Sequence, residues 1–226
     1  MGRSAAGLGA GLAGVEAVSA TSTRMPAREA ARVAASFIAK IADVVDRVEV
    51  AGSLRRRLPT CGDIEICAVS KHEQRYQRDM FGEVVEIVDA DLLDERLTSL
   101  LKDGLVSKRE TNGRGVWGSK HKRLSFDSAP IDLFCCDAER WGVILAIRTG
   151  PHPFSHQLVT ERGKTVVVGT GPNGRPITRE GLLPKIYRVQ DGWLTYRVSG
   201  ERIPTPTEEA LFELLRLRAH APWERV

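Results

Sequence analysis

The sequence has few cysteines and no long apolar run, and both absences narrow the class of protein. Its four cysteines form no CxxC pair, and the adjacent Cys135 and Cys136 make no disulfide framework, so we expect buried thiols in a reducing compartment. No apolar run is as long as a transmembrane helix, which needs about 18 residues. With 226 residues, 42% of them hydrophobic and 27% charged, the chain can bury the core of one or two globular domains.

Lysine is also scarce, because 25 of the 33 basic residues are arginines. A planar guanidinium can bind two phosphate oxygens at once, so this bias favours a partner that carries phosphate. Residues 26–138 carry 18 basic and 19 acidic side chains, whereas residues 139–226 carry 13 and 9. This asymmetry is typical of a catalytic unit followed by a polyanion-binding unit, although a merely solvated surface explains the charges equally well.

Residues 1–25 differ in composition from the rest of the chain, since glycine and alanine make up 11 of them. Glu16 interrupts the weakly apolar stretch in this segment, so we expect no signal peptide. The composition indicates a flexible tail, with ordered structure from Pro26 onward. We expect a cytoplasmic protein of bacterial or phage-like origin, without membrane association.

Hydrophobic periodicity predicts the secondary structure in outline. Helices are expected over residues 26–47, 92–102 and 138–147, and strands over 48–50, 63–69, 105–110, 123–127, 131–135, 187–189 and 194–198. Residues 70–81 and 151–174 have the composition of loops. The run Thr205-Pro206-Thr207-Glu208 predicts a last helix that Thr205 caps, with proline in its first position.

Two carboxylates lie on one of the predicted strands. Asp63 and Glu65 alternate with Ile64 and Ile66, so a strand places both acids on one face and both isoleucines on the other. Neighbouring carboxylates repel each other unless a cation lies between them, and their hard oxygens suit Mg²⁺ or Mn²⁺. Solvent-facing acids give the same pattern, so the pair alone does not distinguish a metal site from an exposed surface.

A third acid, Asp132, lies within the otherwise apolar run 131–135. A carboxylate in such a strand is costly unless it is paired or binds a metal. If this strand neighbours the first, three carboxylates converge, and three can hold two divalent ions.

A glycine and a serine precede the first acid pair. Gly52 would let a phosphate approach the backbone, and Ser53 offers a hydroxyl. Arg56 adds a charged guanidinium group that can bind two phosphate oxygens. Gly-Ser, then Asp-x-Glu, then a lone acidic strand is far more specific than any of these motifs alone.

In this combination the chain resembles the nucleotidyltransferases of the DNA polymerase beta (family X) group. The resemblance lies in residues 51–56, 62–66, 130–133, 147–150, 200–204 and 207–209. It implies an α+β fold: a palm at 26–138, with a mixed sheet flanked by helices, and a small α/β nucleotide-binding thumb at 139–226.

The resemblance also implies a site. In it, Asp63, Glu65 and Asp132 are the catalytic residues and hold two ions of Mg²⁺ or Mn²⁺. The contacts to the incoming nucleotide are implied at seven positions: Gly52, Ser53, Arg56 and Gly62 for the triphosphate, and Thr149, Gly150 and Ser155 in the thumb.

The implied function is that of a template-directed DNA polymerase, which transfers dNMP from dNTP to a primer 3′-hydroxyl in gap filling or DNA repair. We expect a monomer that acts on primer–template or gapped DNA. The chain departs from the family in having Glu65 where aspartate is usual, and Ile147-Arg148 in place of an aromatic pair. No lyase or fingers domain is expected in the short segment before residue 26.

Two alternatives remain open. A nucleotidyltransferase that acts on an RNA end, a small molecule or a protein shares the Gly-Ser and Asp-x-Glu motifs. A catalytically inactive DNA-binding module is disfavoured because all three acids are present.

A basic run beside the strand of Asp132 is either a phosphate-binding face or a solvated hairpin. Its members are Lys102, Lys108, Arg109, Arg114, Lys120, Lys122 and Arg123.

Overall fold

The structure is a computed structural model that describes residues 24–111 and 113–225. The first part of the chain alternates short strands with three helices. Its elements are β1 (Met25–Pro26), α1 (Ala27–Ile41), β2 (Val45–Val50), α2 (Gly52–Arg55), β3 (Thr60–Cys61), β4 (Ile64–Ser70), β5 (His72–Arg78), β6 (Val84–Asp91), α3 (Leu92–Lys102), β7 (Val106–Lys108), β8 (Glu110–Thr111), β9 (Arg114–Gly115), β10 (His121–Phe126) and β11 (Ala129–Cys135).

The remaining chain, called the C-terminal part below, combines helices with two small antiparallel sheets. Its elements are α4 (Trp141–Thr149), α5 (His152–Val159), β12 (Thr165–Thr170), β13 (Pro176–Glu180), β14 (Tyr187–Gln190), β15 (Trp193–Tyr196), β16 (Arg202–Ile203) and α6 (Glu208–Leu214). Single 3₁₀ turns lie at Ala42–Val44, Ala138–Arg140 and Pro222–Glu224.

A mixed sheet of five strands forms the centre of the first part, in the order β2-β4-β11-β10-β7. Strands β4 and β11 are parallel, and the other neighbours are antiparallel. Helices flank this sheet, so the expected α+β class with a mixed sheet is confirmed.

Both faces of the central strands are buried, which is why β4 and β11 are nearly continuous apolar runs. Ile64 and Ile66 are fully buried, as predicted, in a cluster with Phe37 of α1 and Leu97 of α3. On the other face, Phe134 packs in a second cluster with Trp141 of α4. The sheet is therefore packed between two apolar layers, which fix the positions of its strands.

The C-terminal part has a core of its own, which includes Leu158, Leu194 and Phe212. The strands predicted over 187–189 and 194–198 form a hairpin across Asp191 and Gly192: β14 pairs with β15, and both turn residues have positive φ angles of 53° and 82°. Positive φ at both positions defines the type I′ turn that Asp-Gly favours.

The prediction of one helix to residue 47 is wrong at its C-terminal end. Helix α1 ends at Ile41, and a 3₁₀ turn leads into β2, which pairs with β4 along most of its length. The branched side chains of Val45, Val48 and Val50 favour this strand, and sheet pairing outweighs the helical spacing of Val45.

Two predicted loops contain regular structure. Residues 70–81 include all of β5, which forms an antiparallel hairpin with β6. Residues 151–174 include helix α5 and strand β12. The last helix begins later than predicted, because Thr207, not Thr205, is its N-cap and accepts a hydrogen bond from the Ala210 amide at 3.1 Å.

The predicted tail of residues 1–25 lies outside the described residues up to residue 23. Its last two residues are described: Met25 pairs with Cys61, and Arg24 Nε donates to Thr60 Oγ1 at 2.9 Å. In the part of the chain that the structure describes, no helix is long and apolar enough to cross a membrane.

Candidate active site

The carboxylates meet where β4 and β11 run side by side. Glu65 and Asp132 are direct partners in the parallel register, and Asp63 lies one residue before β4 begins. Sheet pairing thus joins two segments that are remote in sequence. The structure places the three predicted acids together at the end of the sheet where β4 begins, called the carboxylate edge below, as the sequence led us to expect.

The turn at Gly52 packs directly against one of these acids. Gly52 has a φ of +58°, and a Cβ built on it would collide with the carboxylate of Glu65. The Ala51 amide also donates to the Glu65 carbonyl at 2.7 Å. Only glycine satisfies both the backbone angle and this close approach. The Gly-Ser motif therefore sets the position of α2 over β4.

Burial and repulsion disturb the ionisation of the first two acids. The pKa of Glu65 is raised to about 7, mainly by burial and then by the charge of Asp63. Burial, followed by the charge of Asp132, also raises the pKa of Asp63. Two carboxylates that resist ionisation together are stabilised by any cation that comes between them.

Asp132 behaves differently because cationic groups contact it. Burial would raise its pKa, but the His121 ring and the Arg109 guanidinium outweigh burial and lower the pKa below the ordinary value. Arg109 Nη2 lies 2.6 Å from Asp132 Oδ1, and Arg123 Nε lies 3.5 Å from the same oxygen. His121 Nε2 is 3.7 Å from Oδ2, beyond hydrogen-bond distance, so Arg109 is the stronger partner.

Two members of the basic run, Arg109 and Arg123, therefore turn toward the carboxylates and do not line a separate surface. Sequence reasoning missed this role for Arg109, and also the position of His121, whose ring stacks on Phe134 at 4.4 Å. The residues alone carry no signal for these contacts, since the pairing of β7 with β10 and of β10 with β11 brings Arg109 and His121 to this place.

The donor set fits a hard divalent cation, although its geometry is not that of a formed metal site. Within residues 24–111 and 113–225, no three His, Cys, Asp or Glu side chains are arranged to hold one ion. The donors are carboxylate oxygens, which Mg²⁺ and Mn²⁺ prefer. The pKa of Asp63 and of Glu65 is raised although arginines lie near both, because burial and the repulsion between carboxylates outweigh this positive charge.

A cavity of about 480 Å³ opens beside Glu65, between the sheet and the C-terminal part. Four of the predicted site residues line it, namely Arg56, Glu65, Gly150 and Ser155. Arg148 also lines this cavity; it lies 3.9 Å over the Phe134 ring and opposes the raised pKa of Glu65. The sequence marked Arg148 only as a departure from an aromatic pair.

The other predicted residues lie outside the wall of this cavity. Two of them, Asp63 and Asp132, lie at the carboxylate edge. Three others lie in the segments before β4, namely Gly52, Ser53 and Gly62. Thr149 is fully buried: its carbonyl accepts from Arg56 at 2.5 Å and its hydroxyl from Arg55 at 2.9 Å. Ser155 donates its hydroxyl to the Ile147 carbonyl at 2.6 Å, so this hydroxyl closes the turn after α4.

A chain of ion pairs fixes the Gly-Ser turn to the C-terminal part. Arg55 Nη2 lies 2.8 Å from Glu208 Oε2, and Arg225 forms a two-pronged contact with the same carboxylate at 2.6 and 3.1 Å. Glu208 and Arg225 are almost completely buried. These contacts hold the two walls of the cavity in one arrangement.

This palm-like sheet with its carboxylate edge is the nucleotidyltransferase class of architecture, and comparison with known proteins identifies the family. Residues 24–136 match the family model of the DNA polymerase beta palm. The chain therefore belongs to the DNA polymerase beta-like (family X) proteins. DNA polymerase lambda of Rattus norvegicus is 28% identical over 184 residues, which cover 77% of this chain. The chain spans 28% of the length of that relative.

Proposed function

We propose that the protein is a template-directed DNA polymerase of the family X type, which transfers dNMP from dNTP to a primer 3′-hydroxyl. In this proposal residues 26–138 are the palm, residues 139–226 are the thumb, and the biological role is gap filling or DNA repair. The observation that carries it is the parallel register of Glu65 with Asp132, next to Asp63 and beside a cavity with two arginines.

In the proposed mechanism, Asp63, Glu65 and Asp132 bind two Mg²⁺ or Mn²⁺ ions. Bound there, the ions would supply charge neutralisation for the triphosphate and activation of the primer hydroxyl. The residues of the chain provide the rest by positioning and by electrostatics. Glu65 must be ionised to bind a cation, so its pKa of about 7 ties metal binding to pH.

The triphosphate would bind along the Gly-Ser turn. In this proposal the backbone at Gly52 and Gly62 contacts the phosphates, Ser53 offers a hydroxyl, and Arg56 projects from the end of α2 into the cavity. The bond from Arg56 to the Thr149 carbonyl fixes this guanidinium before any ligand binds. Such preorganisation spares the ordering cost on binding.

The sugar and base would lie against the turn after α4, at Thr149, Gly150 and Ser155. A Cβ on Gly150 would meet the Phe154 ring at 2.5 Å and the Ser155 hydroxyl at 2.8 Å. Only glycine therefore permits this compact turn. It presents backbone, not a side chain, to the cavity beside Glu65.

A primer-extension assay tests the proposal. The wild-type protein should extend primers on gapped or recessed DNA with dNTPs and Mg²⁺ or Mn²⁺. Asp63→Asn should abolish extension, whereas Asp103→Asn, which changes an exposed acid, should retain it. Parallel reactions with blunt DNA, RNA ends and rNTPs identify the acceptor. Transfer to RNA but to no DNA substrate would contradict the polymerase and favour the alternative nucleotidyltransferase.

A further inference from the structure

Arg148 is a cation on the wall of the cavity beside Glu65 to which the proposed reaction gives no role. Its side chain is exposed and lines this cavity next to the turn at Gly150. Its guanidinium lies 3.9 Å over the Phe134 ring, a cation–π contact that holds it in place. In the part of the chain that the structure describes, no hydrogen bond or ion pair engages its N–H groups. These donors are therefore available to a ligand in the cavity.

Other donors near the same turn already have partners. The Ser155 hydroxyl donates to the Ile147 carbonyl at 2.6 Å, and the Gly150 amide donates back into α4 at 3.1 Å. Arg56 donates to the carbonyl that ends α4, and it projects from the turn that is proposed for the triphosphate. Arg148 is thus well placed to bind a further group of the same ligand.

The charge around Arg148 favours a neutral acceptor over a second phosphate. Arg148 is close enough to Glu65 to oppose the raised pKa of this carboxyl, so an ionised Glu65 offsets part of the guanidinium charge. One face of the guanidinium covers the Phe134 ring, which leaves the N–H edges for hydrogen bonds. A hydroxyl group can accept a hydrogen bond from such an edge.

The cavity wall also lacks a bulky group that could exclude a hydroxyl from this place. Among the described residues, the wall includes Ile147, Pro151 and Val159 but no phenylalanine, tyrosine or tryptophan. The proposed function puts the nucleotide sugar at the turn after α4, beside Arg148. A ribose differs from a deoxyribose only in its 2′-hydroxyl, and this group lets a protein distinguish the two sugars.

We propose that Arg148 donates a hydrogen bond to the 2′-hydroxyl of the incoming nucleotide, so that the site accepts ribonucleoside triphosphates as well as deoxynucleoside triphosphates. This inference rests on the proposed function, because it requires that the cavity holds the nucleotide. In the added reaction the primer oxygen bonds to the α-phosphorus of the ribonucleotide, the bond to pyrophosphate breaks, and the hydroxyl proton passes to solvent. Arg148 selects the sugar and takes no part in this step.

Equilibrium binding of ATP and dATP tests this role. Gapped DNA that presents thymine, with a primer that ends in a dideoxynucleotide, allows both nucleotides to bind with Mn²⁺ but not to react. The wild type should bind ATP about tenfold more tightly than dATP, since a hydrogen bond from a charged donor is gained. Arg148→Met keeps a long side chain but has no donor, so the two affinities should become equal. The lost charge beside Glu65 weakens both nucleotides alike and leaves their ratio unaffected.

Two control variants identify the donor. Arg28→Met removes an exposed arginine of α1 and should leave both affinities unchanged. His156→Leu changes the α5 wall of the same cavity and should keep the wild-type ratio of the affinities. A ratio that becomes one in His156→Leu but not in Arg148→Met would assign the hydroxyl to the histidine and overturn the proposal. Equal weakening of ATP and dATP in Arg148→Met would show that the guanidinium binds phosphate, and would also overturn it.

Primer extension with an unblocked primer separates this inference from the polymerase proposal. Transfer of deoxynucleotides only, with the same ATP to dATP ratio in the wild type and in Arg148→Met, would reject the inference alone. A ratio that responds to Arg148→Met without any nucleotide transfer would reject the polymerase proposal alone. A wild type that binds neither nucleotide would reject both.

Discussion

Arg55 and Glu208 join the turn before the carboxylate strand to the first residue of the last helix, at 2.8 Å. Arg225 contacts the same carboxylate from the other side. Burial would raise the pKa of Glu208, but hydrogen bonds from Arg225 and Arg55 outweigh burial and lower it. The cavity beside Glu65 thus owes its shape to an ion-pair network that does not line it.

Removing the central carboxylate of this network should destabilise the fold. Glu208→Ala removes the counter-charge of the almost fully buried Arg225 and leaves Arg55 with only its longer ion pair to Glu49, at 3.7 Å. We expect the free energy of unfolding to fall by about 3–5 kcal/mol. Glu209→Ala, at the exposed neighbouring position, should change it by less than about 0.5 kcal/mol. Urea denaturation of both variants provides the measurement, and equal stabilities would reject the assigned role.

The two aspartates of the site should affect stability in opposite directions. Asp63→Asn removes a charge that burial and Asp132 disfavour, so metal-free protein should become more stable. Asp132→Asn weakens the 2.6 Å pair with Arg109 and should cost about 1–3 kcal/mol. Thermal or urea unfolding in EDTA at pH 7.5 measures both. Both variants should lose nucleotide transfer, and a stability change of the same sign would contradict the charge arrangement.

The ionisation of Glu65 predicts how stability depends on pH. Its pKa is about 7 in the folded protein, against an ordinary value of 4.5 for glutamate, so the folded state binds the extra proton between these values. Stability of the metal-free protein should therefore decrease as pH rises from about 4.5 to about 7. The slope from this group is at most about 1.4 kcal/mol per pH unit.

Denaturation in EDTA at pH 5, 6, 7 and 8 measures this slope, with Glu65→Gln as the matched variant. The variant should lack the part of the decrease that Glu65 causes, because glutamine does not titrate. Parallel curves for the two proteins would show that the pKa of Glu65 is not raised.

Gly52 should tolerate alanine less well than another glycine of similar backbone angle. Gly104 has a φ of +69° and open space around its Cβ position, so Gly104→Ala should cost only about 1–2 kcal/mol of backbone strain. Gly52→Ala adds a collision with the Glu65 carboxylate. A larger loss of stability in Gly52→Ala, with weaker divalent-cation binding by calorimetry, is the expected result. Equal losses would show that Glu65 moves away freely.

The sequence predicted the carboxylate edge because alternation in a strand is a local property. Ile64 and Ile66 had to face inward, so Asp63 and Glu65 had to face together. The register of Glu65 with Asp132 required a long-range pairing that only the family resemblance supported. The contact of Arg109 with Asp132 had no local signature, since Arg109 follows β7 at the far side of the sheet.

The β5–β6 hairpin escaped prediction for a different reason. Neither of its faces is buried over most of its length, so its residues lack the apolar–polar alternation that marks a half-buried strand. Its strands are held mainly by backbone pairing. The loop prediction for 151–174 failed similarly, because glycine and proline residues flank short elements there.

The parallel pairing of β4 with β11 also determines when the site can form during folding. The segment between them contains two hairpins, helix α3 and strand β10, and all of it must be synthesised before Glu65 and Asp132 can meet. Such non-local pairing slows folding, because loop-closure entropy is lost before the contacts form. A nascent chain that has only just completed β4 therefore carries Asp63 and Glu65 without Asp132, and we expect the three acids to come together only after β11 has been synthesised.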